Sequence, residues 1–351
     1  MLARIFVGVV VLGALVAPPA LRPASAQSNP VASVALYAGA DRQQKLVEGA
    51  KKEGTLTYYT SAPVADIAAL AGPFEKKYGI KVKYWRAASE QLLQRAVAEG
   101  RAHHAEVDVF ETNSPEMEAL HREGLLQKAA SPHLADLSPL ALRPHQEWVG
   151  TRFNIFSAAY NTNLVKKEEL PKTYEDLLDP RWKGRLTIEA DDVDWFGTTI
   201  KAMGEEKGLA LFRRIVATNG ISTRKGHTLL TNLVVSGEVA LALTAYQYKP
   251  EQLKRKGAPI DWLVLPPAIA RLQGLGVSRF APHPYAAMLF YDFMLSDAQD
   301  IYKKRDFSPA KKSIKSLATT IPVHLVDPVT VLDESDKWSK LYHEIFLNQP
   351  R

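Results

Sequence analysis

From residue 50 onward, short runs of strand-forming residues alternate with stretches of helical period, and this alternation limits the chain to an α/β sheet with crossover helices. "TLTYYT" (55–60) reads as a strand, and in the "PVADIAALAGPFEKKYG" that follows it Ile67, Leu70 and Phe74 recur at helical spacing. "KVKYWR" (81–86) is a second strand, while "SEQLLQRAVAEG" (89–100) opens on a serine cap and closes on glycine, as helices do. "EVDVFET" (106–112) leads into "SPEMEALHREGLL", with Ser114 as cap, Pro115 in the first helical position and Gly124 at the end. The theme repeats with strands expected in "FSAAYNTNLV" (156–165), "RLTIEA" (185–190), "EVALAL" (238–243) and "DWLVLPPAI" (261–269). Helices are expected over 173–184, stopped by Pro180, then near 195–203, over 208–217, over 227–237 and over 283–296. In the last segment Trp338, Leu341, Ile345 and Phe346 share one helical face, which predicts that the tail packs on the second half of the molecule.

The first residues place Arg4 before an apolar run from Ile5 to Ala17 and end in Ala24-Ser25-Ala26, the pattern of a secretory signal peptide cleaved after Ala26. A membrane anchor needs about 20 apolar residues, and Pro18 and Pro19 interrupt this run. Cleavage leaves 325 of the 351 residues, more than one core usually supports, so two domains are expected. There is no cysteine, so the exported chain is expected to rely on core burial rather than disulfides, and it lacks the cysteine on which a lipid anchor would be built. The formal charge of +6 comes from short basic clusters interspersed with acids, which argues against a nucleic-acid partner and suits an anionic ligand weakly.

Where the strands end is informative. Thr60-Ser61, Thr112-Asn113-Ser114, Ala190-Asp191-Asp192 and Thr244-Ala245-Tyr246 each follow the carboxyl end of an expected strand. Open α/β sheets bind ligands at that edge, because helix N-termini there offer unpaired N–H groups and a positive dipole end. Each set taken alone reads equally well as helix caps, and capping is the reading preferred for Asp191, Asp192 and Asp194. Several such edges facing one crevice are better explained by a ligand cleft.

"AKKEGTLTYYTS", "FEKKYGIKV", "AAYNTNLV", "LPKTYEDLLDPRWKGRL", "SGEVALAL", "GAPIDWLVLPPAI" and "HPYAAMLFYDFMLS", in that order from about residue 45 to 310, resemble the periplasmic substrate-binding proteins of ABC importers, in the group that contains the ferric-iron binders. The resemblance implies a type II periplasmic-binding-protein fold, with two lobes of mixed sheet flanked by helices, joined by crossover strands and closing on a ligand. On this reading residues 30–145 with 262–308 form the N-terminal lobe and 146–261 with 309–351 the C-terminal lobe. The implied protein is a soluble periplasmic receptor, monomeric, without a resident cofactor, which hands its solute to an inner-membrane permease.

In the ferric binders two adjacent tyrosines follow the strand matching "GEVALAL" and, with a synergistic anion, hold Fe(III), a hard acid that suits phenolate oxygen. Here Tyr248 falls on the second of those positions, the first is Gln247, and Tyr246 comes one place early. On an extended strand Tyr246 and Tyr248 would point to one side with Gln247 turned away, so both remain candidate ligands of a ferric ion. The family's first-lobe His and Glu have no clear match; Glu111 and His103 or His104 lie near the right sheet edge without metal-site spacing. A small organic anion, such as a phosphonate, sugar phosphate or carboxylate, is the other ligand class. It would use Thr60, Ser61 and Ser114, a basic side chain such as Arg224 or Lys225 in "STRKGHT", and Tyr246 and Tyr248 as donors. The sequence holds no Gly-x-Ser-x-Gly elbow, His-Glu-x-x-His, P-loop or cysteine nucleophile, so the chain is read as a binder, with an exported hydrolase as the alternative. "HHAEVD" (103–108) reads as a solvated loop before a strand.

Overall fold

The computed structural model describes residues 30–102 and 104–347; the signal segment, its Ala26 boundary and His103 lie outside the described residues. α1 (Pro30–Ala35) and α2 (Arg42–Glu53) precede the first βαβ unit, β1 (Thr55–Thr60), α3 (Val64–Tyr78) and β2 (Lys81–Arg86). Then come α4 (Ser89–Arg101), β3 (Val109–Asn113), α5 (Ser114–Arg122), β4 (Leu126–Gln127) and the long β5 (Trp148–Asn161). The second half holds β6 (Leu186–Glu189), α6 (Val193–Met203), α7 (Glu205–Asn219), β7 (Ser222–Arg224), α8 (His227–Ser236), β8 (Leu241–Tyr246), α9 (Tyr248–Arg255) and β9 (Ile260–Leu263). The chain returns through β10 (Ile269–Ser278), α10 (Pro284–Leu295), α11 (Asp297–Lys304) and β11 (Ser308–Pro309). It ends with α12 (Leu317–Thr320), β12 (His324–Leu325), α13 (Pro328–Asp333) and α14 (Ser335–Tyr342).

The strands follow one path, β2-β1-β3-β10-β5-β8-β6-β7. β1 pairs in parallel with β2 and β3, while β6 pairs in parallel with β7 and β8, as crossover helices require. Two antiparallel crossing strands join these halves. The first part of β5, from Trp148 to Ile155, pairs with β10, and its second part pairs with β8 and β9. All fourteen residues of β5 and all ten of β10 are buried, so they form the spine of a two-lobed α/β molecule.

The expected α/β alternation is present, but two short 3₁₀ turns (Glu175–Leu178 and Pro180–Trp182) stand where a helix is expected over 173–184, and two strands differ. β5 begins at Trp148, eight residues before the strand expected from the sequence, and β10 is not among the expected strands. Its "IARLQGLGVS" carries Gly274 because a Cβ there would stand 2.6 Å from Met117 Cγ, and glycines disguise a strand. α10 is apolar except for Asp292, which pairs with Arg42 of α2, and is buried from Ala286 to Leu295 against α1 and α2. The tail divides between the lobes. α14 packs on α6 as expected, with Trp338 and Phe346 against Phe196 and Ile345 buried, but α13 lies on α5 of the first lobe.

Candidate functional site

β5 and β10 lie in register so that Asn154 sits opposite Arg271 and Arg152 opposite Gln273. Alternate residues of a strand share a face, so Arg271 and Gln273 point together, as do Arg152 and Asn154. Asn154 Nδ2 donates to Gln273 Oε1 (3.2 Å), and Gln273 Nε2 donates to Ser61 Oγ (3.1 Å), which carries the row onto the first-lobe rim. In the other direction Arg271 Nη1 donates to Asp194 Oδ2 (2.6 Å), and its guanidinium lies 5.2 Å from the ring centre of Phe156 and 5.4 Å from that of Tyr246.

Tyr246 therefore stands at the end of β8 against the spine, 4.0 Å ring to ring from His227 and 6.1 Å from Tyr248 with the two phenols nearly parallel at 12°. The extended-strand expectation fails here. β8 stops at Tyr246, Gln247 takes helical angles (φ −46°, ψ −41°) and Tyr248 opens α9. Gln247 is buried rather than turned outward, and the tyrosines approach each other across a strand-to-helix corner. Tyr246 is 7 % exposed and Tyr248 8 %, and the Tyr246 hydroxyl has no partner. Tyr248 lies over Phe307 at 4.0 Å, and burial, with Asp66 adding to it, holds its phenol above the usual range.

Behind Tyr246, His227 Nδ1 donates to Thr244 O (3.0 Å) and its Nε2 faces Asp192 Oδ1 at 3.2 Å. Glu189 closes the group, accepting from the N–H of Gly226 (2.6 Å) and of Asp191 (2.5 Å). Gly226, at φ +100°, is in a region side chains rarely enter; it serves this carboxylate rather than a ligand phosphate. Burial works against a charged His227, but Asp192 and Glu189 outweigh it and the imidazole is held above its usual pKa. Asp192 Oδ2 is buried without a partner. The expected capping by these acids is not what forms. Asp192 occupies the cap position of α6 but makes no cap bond, and Asp194 divides between the N–H of Trp195 and Arg271.

The first-lobe candidates separate into two kinds. Thr60 is fully buried, donates to Glu111 Oε2 (2.9 Å) and accepts from the N–H of Ala62. Glu111 is also tied to Tyr58, Arg152 and Tyr302, so neither residue has capacity left for a ligand. Ser114 is the first residue of α5, not its cap, and its buried Oγ is unpartnered, as is Thr112 Oγ1. Arg224 donates to Thr223 O and lies 3.8 Å from Glu238, while Lys225 is exposed and 3.1 Å from Asp191. His104 is exposed, with Nε2 3.5 Å from Glu106.

The sequence matches the model of the bacterial extracellular solute-binding proteins over residues 56–307, which is more than half of the chain. The chain belongs to this family. Iron uptake protein A1 of a Synechocystis strain is 28 % identical over 271 residues, covering 70 % of this chain and 75 % of that protein. Iron-bound HitA from Pseudomonas aeruginosa is 27 % identical, with a TM-score of 0.70, covering 83 % of this chain and 99 % of that one. AfuA from Actinobacillus pleuropneumoniae, with fructose-6-phosphate bound, is 21 % identical, with a TM-score of 0.74 over 85 % of this chain and 100 % of that one; this likeness concerns the fold. The family consists of binding proteins, and nothing among these relatives supports the hydrolase alternative.

In this solute-binding protein the residues that sequence reasoning missed are Asn154, Arg271, Gln273 and His227. The spine residues had one usable signal, polar side chains at alternate positions of a buried strand. Among the described residues an open cavity of about 790 Å³ reaches this cluster, bordered by Glu116, Asp194, Arg271 and the tail. Neither tyrosine is on its wall.

Proposed function

We propose that the chain is a periplasmic receptor for a small organic anion bearing hydroxyl groups, held between the lobes by Ser114 on one side, Asn154 and Arg271 on the spine, and Tyr246 and Asp192 on the other. One observation carries the reading: each of these residues keeps a buried, unpartnered polar atom, donors and acceptors mixed. Leaving a buried group unpaired costs about 1–3 kcal/mol, so a cluster of them spread over both lobes is best explained by a guest that completes their bonds. Arg271 supplies charge, and Asp192 accepts from a hydroxyl. Ser61, already bonded to Gln273, lines the approach; Thr60 has no free capacity, and Arg224 and Lys225 contribute field at the rim.

The lobes on this reading are 30–145 with 262–308 and 146–261 with 309–351, with β5 serving both. Export with cleavage after Ala26, action as a monomer and delivery to an ABC permease complete it, since a ligand that touches both lobes biases the protein toward the closed form a permease can select.

A second reading, ferric iron held by Tyr246 and Tyr248, is favoured by the closeness of the two phenols and by the iron named for the relatives. Against it, Glu111 is sequestered and burial holds Tyr248 protonated. Absorption spectroscopy and calorimetry separate the readings. Titration with hexose 6-phosphates and alkylphosphonates should give saturable one-to-one binding, and ferric citrate should give no phenolate charge-transfer colour. A visible band that is lost in both tyrosine variants would establish iron instead.

A further inference from the structure

Glu118 and His121 stand three residues apart on α5 and share one face of it, while Glu116, which borders the interlobe cavity, lies on the other side of the helix. The face with Glu118 and His121 meets the chain that enters β5, where His145 and Glu147 reach back to it. Glu118, His121 and His145 each bring a ligand atom within 4.8 Å of the other two. None of these four residues borders the interlobe cavity.

The contacts around the group are those that orient metal ligands. Trp148 Nε1 donates to Glu118 Oε2 (3.2 Å) and holds that carboxylate in place. His121 Nδ1 donates to Glu147 Oε2 (2.6 Å), which fixes the tautomer and leaves the lone pair on Nε2 for an ion. Glu118 is 5 % exposed, yet its ion-pair contact with His145 Nε2 is at 3.5 Å, and that buried nitrogen makes no hydrogen bond. A buried carboxylate beside a buried, unbonded imidazole nitrogen is costly, and a cation between them satisfies both. The two imidazoles lie face to face, 3.8 Å between centres and 13° apart. An ion therefore requires the His145 ring to turn about its Cβ–Cγ bond, which releases its Nδ1 from the N–H of Glu147 (3.1 Å) and lets that nitrogen carry the ring proton. His121 is 28 % exposed and Glu147 17 %, so the group is reached from solvent.

We infer that Glu118, His121 and His145 form a site for a divalent transition ion of the zinc class, with Glu147 positioning His121. Two imidazole nitrogens and one carboxylate are donors that favour such an ion over the hard, oxygen-seeking Mg²⁺, and three protein ligands leave the fourth position to water. The ion ties α5 to the start of β5 within the first lobe, and α5 in turn holds the tail through Arg122 and Asp333 (2.7 Å). The site lies apart from the interlobe solute site and does not depend on the identity of that solute.

The test uses the purified full chain, stripped with a chelator, and titrates it with Zn²⁺ alone by calorimetry in a non-coordinating buffer at about pH 8, where imidazoles are neutral. Mg²⁺ is the comparator. One saturable Zn²⁺ per chain and no Mg²⁺ binding are expected, and Zn²⁺ should raise the thermal midpoint, as a ligand of the folded state does. His121→Ala and His145→Ala should each weaken Zn²⁺ by more than about a hundredfold with circular dichroism unchanged, while Glu147→Gln, which removes a support and not a ligand, should cost about tenfold. In the unsubstituted protein, saturating Zn²⁺ should protect His121 from diethyl pyrocarbonate, a readout that needs no variant. His227→Ala breaks the other group of histidine and carboxylates, Glu189, Asp192 and His227, and should leave Zn²⁺ affinity within about twofold. No saturable Zn²⁺ binding, equal binding of Mg²⁺, full affinity in either His121→Ala or His145→Ala, an unprotected His121, or loss of the ion in His227→Ala would overturn the inference.

Discussion

Two buried polar clusters flank the spine, each built around an arginine from one crossing strand, and they end in opposite states. Around Arg152, both oxygens of Glu111 are filled, one by Arg152 and Tyr302, the other by Tyr58 and Thr60. Around Arg271, Asp192 Oδ2 and the Tyr246 hydroxyl are buried and empty-handed. In the first cluster the Glu111 carboxylate is fully bonded, only Arg152 Nε stays unpartnered, and the bonds fix β1, β3, β5 and α11 to one another. In the second, which we propose a guest completes, the carboxylate and the phenol are the groups left open. Residue types barely differ between them; the free hydrogen-bonding capacity does.

The comparison is broken most forcefully at Glu111. Removing one partner of a buried ion pair strands the other charge, so Glu111→Ala should cost about 3–5 kcal/mol of folding free energy, measured by urea unfolding. A loss below about 1 kcal/mol would mean the cluster is not structural. Tyr246→Phe should do the reverse. It removes a hydroxyl with no bond to lose, so the empty protein should be as stable as before or slightly more so, while solute affinity falls by about 1–3 kcal/mol in calorimetry.

A pH series sharpens the contrast further. Glu116, raised by burial to about 7, and His227, raised by its two carboxylates against the cost of burial, both bind protons more tightly folded than unfolded. Stability with that sign is present at low pH and lost as pH rises through the folded pKa, so the empty receptor should lose about 1–2 kcal/mol between pH 6 and 8. Glu116→Gln should flatten the profile; a profile rising over this window would contradict the assignment. The smallest effect is expected at Lys225, exposed and paired only with Asp191, where Lys225→Ala should change solute affinity by less than about 1 kcal/mol.

The lobes were legible because burial imposes periods of 2 and 3.6 on a sequence, and "TLTYYT", "RLTIEA" and "HTLLTNLVVSG" carry them plainly. β10 escaped because its glycines answer to close neighbours such as Met117, which lie far away in sequence. The site was half legible for a similar reason. Strand-end position picked out Ser114 and Tyr246, which the proposed site uses, together with Tyr248 and Thr60, which it does not, and nothing in the chain near Thr60 says that Glu111 takes up its hydroxyl. The corner at Gln247 brought the phenols together by a route that residue spacing did not anticipate, and Arg271 and His227 became visible only once the strands were paired.

Native mass spectrometry of the receptor, isolated from its native cells without washing, tests the central claim most directly. One small molecule per chain is expected, released intact on denaturation, and absent or strongly depleted in Tyr246→Phe while Lys225→Ala retains it. A bare chain, or a guest held equally well by the Tyr246 variant, would contradict the assignment of the open cluster as the place where the solute is gripped.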